Sequence, residues 1–124
     1  MSAKILIADD EPNILLSLEF LMQREGYKVL VARDGQEALD AILEHHPDLV
    51  LLDVMMPKRS GFDVLQAVRD RDDLGSMRVL MLSAKGREID TAKGLALGAD
   101  AYMTKPFSTR ELVDKVRSLL EPAA

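Results

Sequence analysis

The chain has no cysteine, no tryptophan and no long apolar run. Without cysteine there is no disulfide framework and no thiolate metal site, which fits a reducing compartment. No apolar stretch approaches the ~18 residues of a membrane span. Met1-Ser2-Ala3-Lys4 leads at once into an apolar run, so no secretory leader is expected. The expectation is a cytoplasmic protein with no membrane contact. Basic excess is also missing. The formal net charge is −5, and residues 1–62 carry 6 basic against 11 acidic side chains while residues 63–124 carry 10 of each. Nucleic-acid affinity rests on neutralising phosphates, so no direct nucleic-acid binding is expected of this chain.

What is present is alternation. Short continuous apolar runs stand at Ile5–Ala8, Val29–Ala32, Leu49–Leu52, Val79–Leu82 and, more weakly, Ala101–Met103. Continuous rather than alternating runs suit strands covered on both faces, as in a parallel sheet. Between them Leu15/Leu18/Met22, Ala38/Ile42, Val64/Leu65/Val68 and Ile89/Ala92/Ala96 recur at helical spacing, and Leu112/Val113/Val116/Leu119/Leu120 adds a fifth stripe. Pro12 suits a first helical position. Asp34, Ser60 and Ser108 each precede an acid by three residues, the pattern of a helix N-cap. Gly26 and Gly98 suit left-handed helix ends, and Pro122 a stop. The 124 residues are read as one domain, with a core of about 4–120. Five β-α units with right-handed crossovers predict an α/β fold, a doubly wound five-stranded parallel sheet with helices on both faces.

The apolar runs end on chemistry. Asp9 and Asp10 follow the first, Asp53 the third, Ser83 the fourth, and Lys105 stands just after the fifth. All strand C-termini of an open parallel sheet lie on one edge, where ligands bind. Taken singly, each residue has an ordinary reading. Asp9-Asp10-Glu11 favours a helix N-terminus by ~0.3–1 kcal/mol per acid. Asp53 reads as a turn residue before Pro57, Ser83 as a helix cap and Lys105 as a solvated surface lysine. Together, three mutually repelling carboxylates suit a hard cation such as Mg²⁺. A hydroxyl and an ammonium beside them suit a phosphoryl group. His45-His46 comes without a ligand set and reads as a partner of the helix dipole, and Asp70–Asp73 as a solvated helix end.

Several segments together carry a family resemblance. They are Ile7-Ala8-Asp9-Asp10-Glu11, His46–Pro57, Ser60-Gly61, Leu82-Ser83-Ala84, Gly98–Tyr102 and Thr104-Lys105-Pro106-Phe107. In order and register they resemble the receiver domain, of chemotaxis type, of bacterial two-component response regulators. The resemblance implies the flavodoxin-like strand order 2-1-3-4-5. It implies that Asp53 is the phosphoacceptor, that Asp9, Asp10, Asp53 and the backbone carbonyl of Met55 hold Mg²⁺, and that Lys105, Ser83 and the amide of Ala84 hold phosphoryl oxygens. It further implies a cis peptide before Pro106 and a switch pair, Ser83 and Tyr102. Met55 and Lys85 would tune dephosphorylation. The partners implied are a histidine kinase or a histidine phosphotransfer protein, and a downstream protein or output domain read from the surface of helix 4, strand 5 and helix 5. Such a domain catalyses only its own phosphorylation and dephosphorylation, and is no enzyme on a separate substrate.

Three features weigh against rivals. An Asp-nucleophile phosphatase wants a second acid two residues after the nucleophile, and position 55 is Met. A flavin module wants a Ser/Thr/Gly-rich loop after the first strand, where this chain has Asp9-Asp10-Glu11. Regulators that dimerise through helix 4, strand 5 and helix 5 usually carry acids where this chain has Ala96 and Ala101. Asp100, Arg110, Lys93 and Arg117 remain as possible pairing charges. A monomer or a weak phosphorylation-dependent dimer is the expectation.

Overall fold

Among the described residues, five strands and five α-helices alternate. In order they are β1 (Lys4–Ala8), α1 (Pro12–Arg24), β2 (Lys28–Ala32), α2 (Gly35–His45), β3 (Leu49–Asp53), α3 (Gly61–Arg69), β4 (Arg78–Ala84), α4 (Glu88–Ala96), β5 (Ala101–Lys105) and α5 (Thr109–Leu120). The computed structural model describes residues 3–84 and 88–121, with side chains described for 3–83 and 92–121. The readings of Lys85 and Pro122 lie outside the described residues. All strand pairs are parallel and the sheet order is β2-β1-β3-β4-β5.

The pleat sorts the core into two layers. Ile5, Ile7, Leu49, Leu51, Leu80 and Leu82 pack with Leu15, Leu18 and Met22 of α1 and Leu112 and Val116 of α5. Leu6, Ala8, Val50, Leu52, Val79 and Met81 point the other way, onto Ala38 and Ile42 of α2 and Val64, Leu65 and Val68 of α3. Successive strand side chains face opposite sides, so a continuous run feeds both layers. Only the inner strands obey that reading fully. β2 and β5 are sheet edges, their residues are mostly half-buried or exposed, and Val31 keeps 41% of its surface. An edge strand has one neighbour, so helices cover less of it.

The helix boundaries follow local chemistry. Pro12 opens α1, and Asp34, Ser60 and Ser108 accept from the backbone N–H three residues on. Ser60 and Asp63 complete a reciprocal capping box. Gly26 and Gly98 have φ of +92° and +104°. His46 also takes a left-handed conformation at the end of α2, with φ 49°. The segment read as a solvated helix end, Asp70–Asp73, is more structured than expected. It runs into a short 3₁₀ turn, Asp72–Leu74, and holds a side-chain pair in which Arg71 donates twice to Asp73 at 3.0 and 2.9 Å.

One glycine bears on the site directly. Gly61 N–H donates to the Val54 carbonyl at 2.8 Å, closing the loop after β3. A Cβ on Gly61 would collide with the Asp53 carbonyl oxygen and lie 3.0 Å from the Val54 Cα. Backbone cannot yield as a side chain does. Gly61→Ala is therefore expected to lose about 1–3 kcal/mol, the usual cost of overpacking. Urea denaturation checks this, and an unchanged midpoint would show that the loop yields freely.

Candidate functional site

The parallel register puts the ends of β1, β3, β4 and β5 side by side. Ala8 pairs with Leu52, Asp53 with Leu82, Ser83 with Thr104 and Ala84 with Lys105. Asp9, Asp10 and Asp53 each offer a carboxylate oxygen within 4.8 Å of the others. Asp9, Asp53 and Ser83 are buried, whereas Asp10 is exposed. Met55, two residues beyond β3, exposes its side chain.

Lys105 is not the solvated lysine that its place in the sequence suggests. Its ammonium donates to Asp9 at 2.8 Å and lies 3.5 Å from Asp53, with 21% of the side chain exposed. β5 continues past Met103 as far as Lys105, and this carries the ammonium over the carboxylates. Burial alone would pull the lysine pKa down. The hydrogen bond it donates to Asp9 and the charge of Asp53 more than offset that, so it stands above its ordinary value.

Asp9 is engaged at both oxygens by its neighbours, with acceptor capacity to spare. One oxygen takes the Lys105 ammonium and the other the N–H of Glu11 at 2.9 Å. Asp53 is the strained member. Burial, followed by repulsion from Asp9, raises its pKa to about 6, against the pull of Lys105. A carboxylate that resists ionisation beside two others marks a place where added positive charge is stabilising. The donor set is all oxygen, which fits Mg²⁺. Asp9, Asp10 and Asp53 are therefore able to hold a metal ion.

Tyr102 sits on β5, half-buried against the α3 layer. Its ring lies along α4 where Gly94 leaves space, since a Cβ there would approach two ring carbons at 3.3 Å. Phe62 is beside it, with the Lys93 ammonium 4.7 Å from the Phe62 ring centre. The peptide between Lys105 and Pro106 is cis.

The charges left open for pairing between copies are largely engaged within the chain. Asp100 accepts from Arg69 at 2.7 Å and from the Val79 N–H at 2.7 Å, with Arg78 3.6 Å away. Arg69 also donates to the carbonyls of Gly98 and Met77, both at 2.9 Å. Arg117 lies 3.4 Å from Glu25. Sequence reasoning missed this Arg69 network. An arginine in a last helical turn looks like a dipole partner, and only the tertiary fold reveals its reach to the α4–β5 turn.

A doubly wound α/β domain with an acidic cluster and a lysine on its strand edge is the class that fold and site define. A family model for the response regulator receiver domain matches residues 5–117. The receiver domain of the Francisella response regulator 1452 is similar over 96% of this chain and 97% of its own, at 34% identity and a TM-score of 0.88. The chemotaxis response regulator CheY4 of Vibrio cholerae matches at 32% identity and a TM-score of 0.90, over 97% of this chain and all of that one. NtrX from Brucella abortus matches at 28% identity and a TM-score of 0.89, over 97% of this chain but 27% of its own. The chain belongs to the response regulator receiver domain family. Such domains are phosphorylation-dependent signalling switches rather than classical enzymes, and their partner is a kinase or phosphotransfer protein. No helix among the described residues is long and apolar enough to cross a membrane.

Proposed function

We infer that residues 1–124 act as one receiver domain that takes a phosphoryl group onto Asp53 from the phosphohistidine of a histidine kinase or a histidine phosphotransfer protein. The observation that carries this is the meeting of Asp53 with Asp9, Asp10 and Lys105 at the sheet edge. A carboxylate oxygen of Asp53 attacks phosphorus. The bond from phosphorus to the imidazole nitrogen breaks, and the leaving imidazole keeps the electron pair. The product is an acyl phosphate. Asp9, Asp10, Asp53 and the carbonyl of Met55 would hold Mg²⁺, which supplies positive charge against the oxygens of the transferring group. Lys105 adds a second positive charge, and Ser83 and the Ala84 amide donate to phosphoryl oxygens.

Phosphorylation then alters the α4–β5–α5 surface through Ser83 and Tyr102. The outcome is control of a downstream protein or an attached output domain. Intramolecular engagement of Asp100 and Arg117 supports a monomer or weak phosphorylation-dependent dimer. The proposed setting is cytoplasmic, without membrane contact, and the acidic balance argues against direct nucleic-acid binding. The test is to treat the protein with a small phosphodonor and Mg²⁺ and map the phosphoryl group by mass spectrometry. Modification mapped to Asp53 supports the reading, and modification elsewhere overturns it.

Mg²⁺ is expected to stabilise the fold. With a dissociation constant on the order of 1 mM, about 10 mM Mg²⁺ adds roughly 1.4 kcal/mol by mass action. Asp10→Asn should shrink that gain, because one ligand and one repelling charge are removed together. Thermal melts with and without Mg²⁺ check this, and an unchanged wild-type melting temperature would contradict it.

A further inference from the structure

The loop after β3 is held by more than its own ends. Val54 donates to the Leu82 carbonyl at 3.0 Å and accepts from Gly61 at 2.8 Å, so residues 55–60 form a closed excursion carrying Met55. The far side of that excursion is seated on the N-terminus of α2. Gly35 N–H donates to the Pro57 carbonyl at 3.3 Å, and the Arg59 N–H donates to the same oxygen at 2.8 Å. Lys58 adopts a left-handed φ of 70° and places its ammonium 3.5 Å from the buried Asp34 carboxylate. Arg59 donates through Nε to the Gln36 side chain at 2.8 Å. Gly35 itself has no room for a side chain. Its Cβ would collide with the Arg59 carbonyl oxygen and stand 2.6 Å from the Arg59 carbonyl carbon.

A lysine in the left-handed region is conformationally costly. Such a conformation persists only where the surroundings over-determine it. Here the surroundings are Asp34, Gly35 and Gln36. All three hold the segment between Pro57 and Arg59, which begins two residues beyond Met55. A site that binds Mg²⁺ demands near-ideal octahedral geometry, and so a fixed loop.

We propose that Asp34, Gly35 and Gln36 form a positioning clamp at the start of α2 that fixes the β3–α3 loop and thereby sets the affinity of the acidic cluster for Mg²⁺. The inference rests on the metal reading given under Proposed function. Gly35 is the decisive residue, because its absent side chain permits the close approach of Arg59. Adding one methyl group must push the loop away from α2 and with it the Met55 carbonyl.

The test is calorimetric titration of MgCl₂ into four proteins at a temperature well below their melting transitions. They are the wild type, Asp10→Asn, Gly35→Ala and Gly75→Ala. Gly75 has an ordinary φ of −63° and space for a methyl group, so it controls for glycine loss itself. Gly35→Ala is expected to weaken Mg²⁺ binding by at least about tenfold, equivalent to 1.4 kcal/mol, and Gly75→Ala to leave it unchanged. A merely structural role for Gly35 would lower the melting temperature without moving the dissociation constant. If Gly35→Ala does not fold, the double variant Lys58→Ala/Arg59→Ala, whose side chains are exposed, takes its place with an expected loss of about threefold. Wild-type affinity in the clamp variant overturns the clamp alone. A wild type that does not bind Mg²⁺, or binds it no better than Asp10→Asn, overturns the metal reading and the clamp with it.

Discussion

Replacing Asp53 with asparagine is expected to abolish phosphoryl uptake and, without metal, to make the fold more stable at neutral pH. The first effect follows from losing the only carboxylate of the cluster that ends β3 beside Lys105. The amide keeps the shape but is no nucleophile. The second follows from the raised pKa. Asp53 holds its proton up to about pH 6 in the fold, against 3.8 as the ordinary value. Below the ordinary value both folded and unfolded chains carry the proton, and Asp53 costs nothing. As pH rises from there to about 6, the unfolded chain ionises first and stability falls. Above that the penalty is fully present, about 1–3 kcal/mol after allowing for residual solvent screening. Urea denaturation in chelator should therefore show the variant ahead at about pH 7.5 and level with wild type at about pH 3. Mg²⁺ should narrow the gap at neutral pH by stabilising the wild type more. A variant that still takes up the phosphoryl group would remove Asp53 from its role. A variant no more stable than wild type at neutral pH would show that the carboxylate is not strained.

The parts of this molecule legible in sequence are those fixed by period or by backbone direction. Continuous runs such as Leu49–Leu52 announce strands buried on both faces. Parallel strands have a common C-terminal edge, so Asp9, Asp53, Ser83 and Lys105 are brought together by topology alone. The caps at Asp34, Ser60 and Ser108 act within four residues and were readable for the same reason. What the sequence hid are contacts between elements. Gly35 looks like filler inside a capping pattern until Arg59 is seen against it. Arg69 looks like a dipole partner until it reaches Gly98 and Asp100. Partial exposure of β2 and β5 depends on being at an edge, which composition does not state.

Lys105 shows the same limit, and it leads to the second large effect. Read as a solvated ammonium, it would be removable at little cost to the fold. Its place 2.8 Å from the fully buried Asp9 reverses that expectation. Removing one partner of a buried pair leaves an uncompensated charge, at about 3–5 kcal/mol when both are fully buried. Here Lys105 is partly exposed and Asp9 retains the Glu11 N–H. Lys105→Ala is therefore expected to lose roughly 1–3 kcal/mol without metal. The lysine pKa is raised, so its contribution is complete at neutral pH and fades only above its ordinary value of 10.5. Two comparisons isolate the cause. Asp9→Asn added to Lys105→Ala should recover much of the loss, since the stranded charge is gone. Mg²⁺ should do the same by restoring positive charge beside Asp9. Under phosphorylation the variant should fail differently, because a charge-assisted contact to the phosphoryl group is missing. In NMR of labelled tyrosine, the phosphorylation-dependent shift of Tyr102 should be present in wild type and lost in the variant. Lys105→Ala melting with the wild type in chelator would show that the pair with Asp9 contributes nothing to the fold. An undiminished Tyr102 shift would show that the lysine does not couple the site to the α4–β5–α5 face.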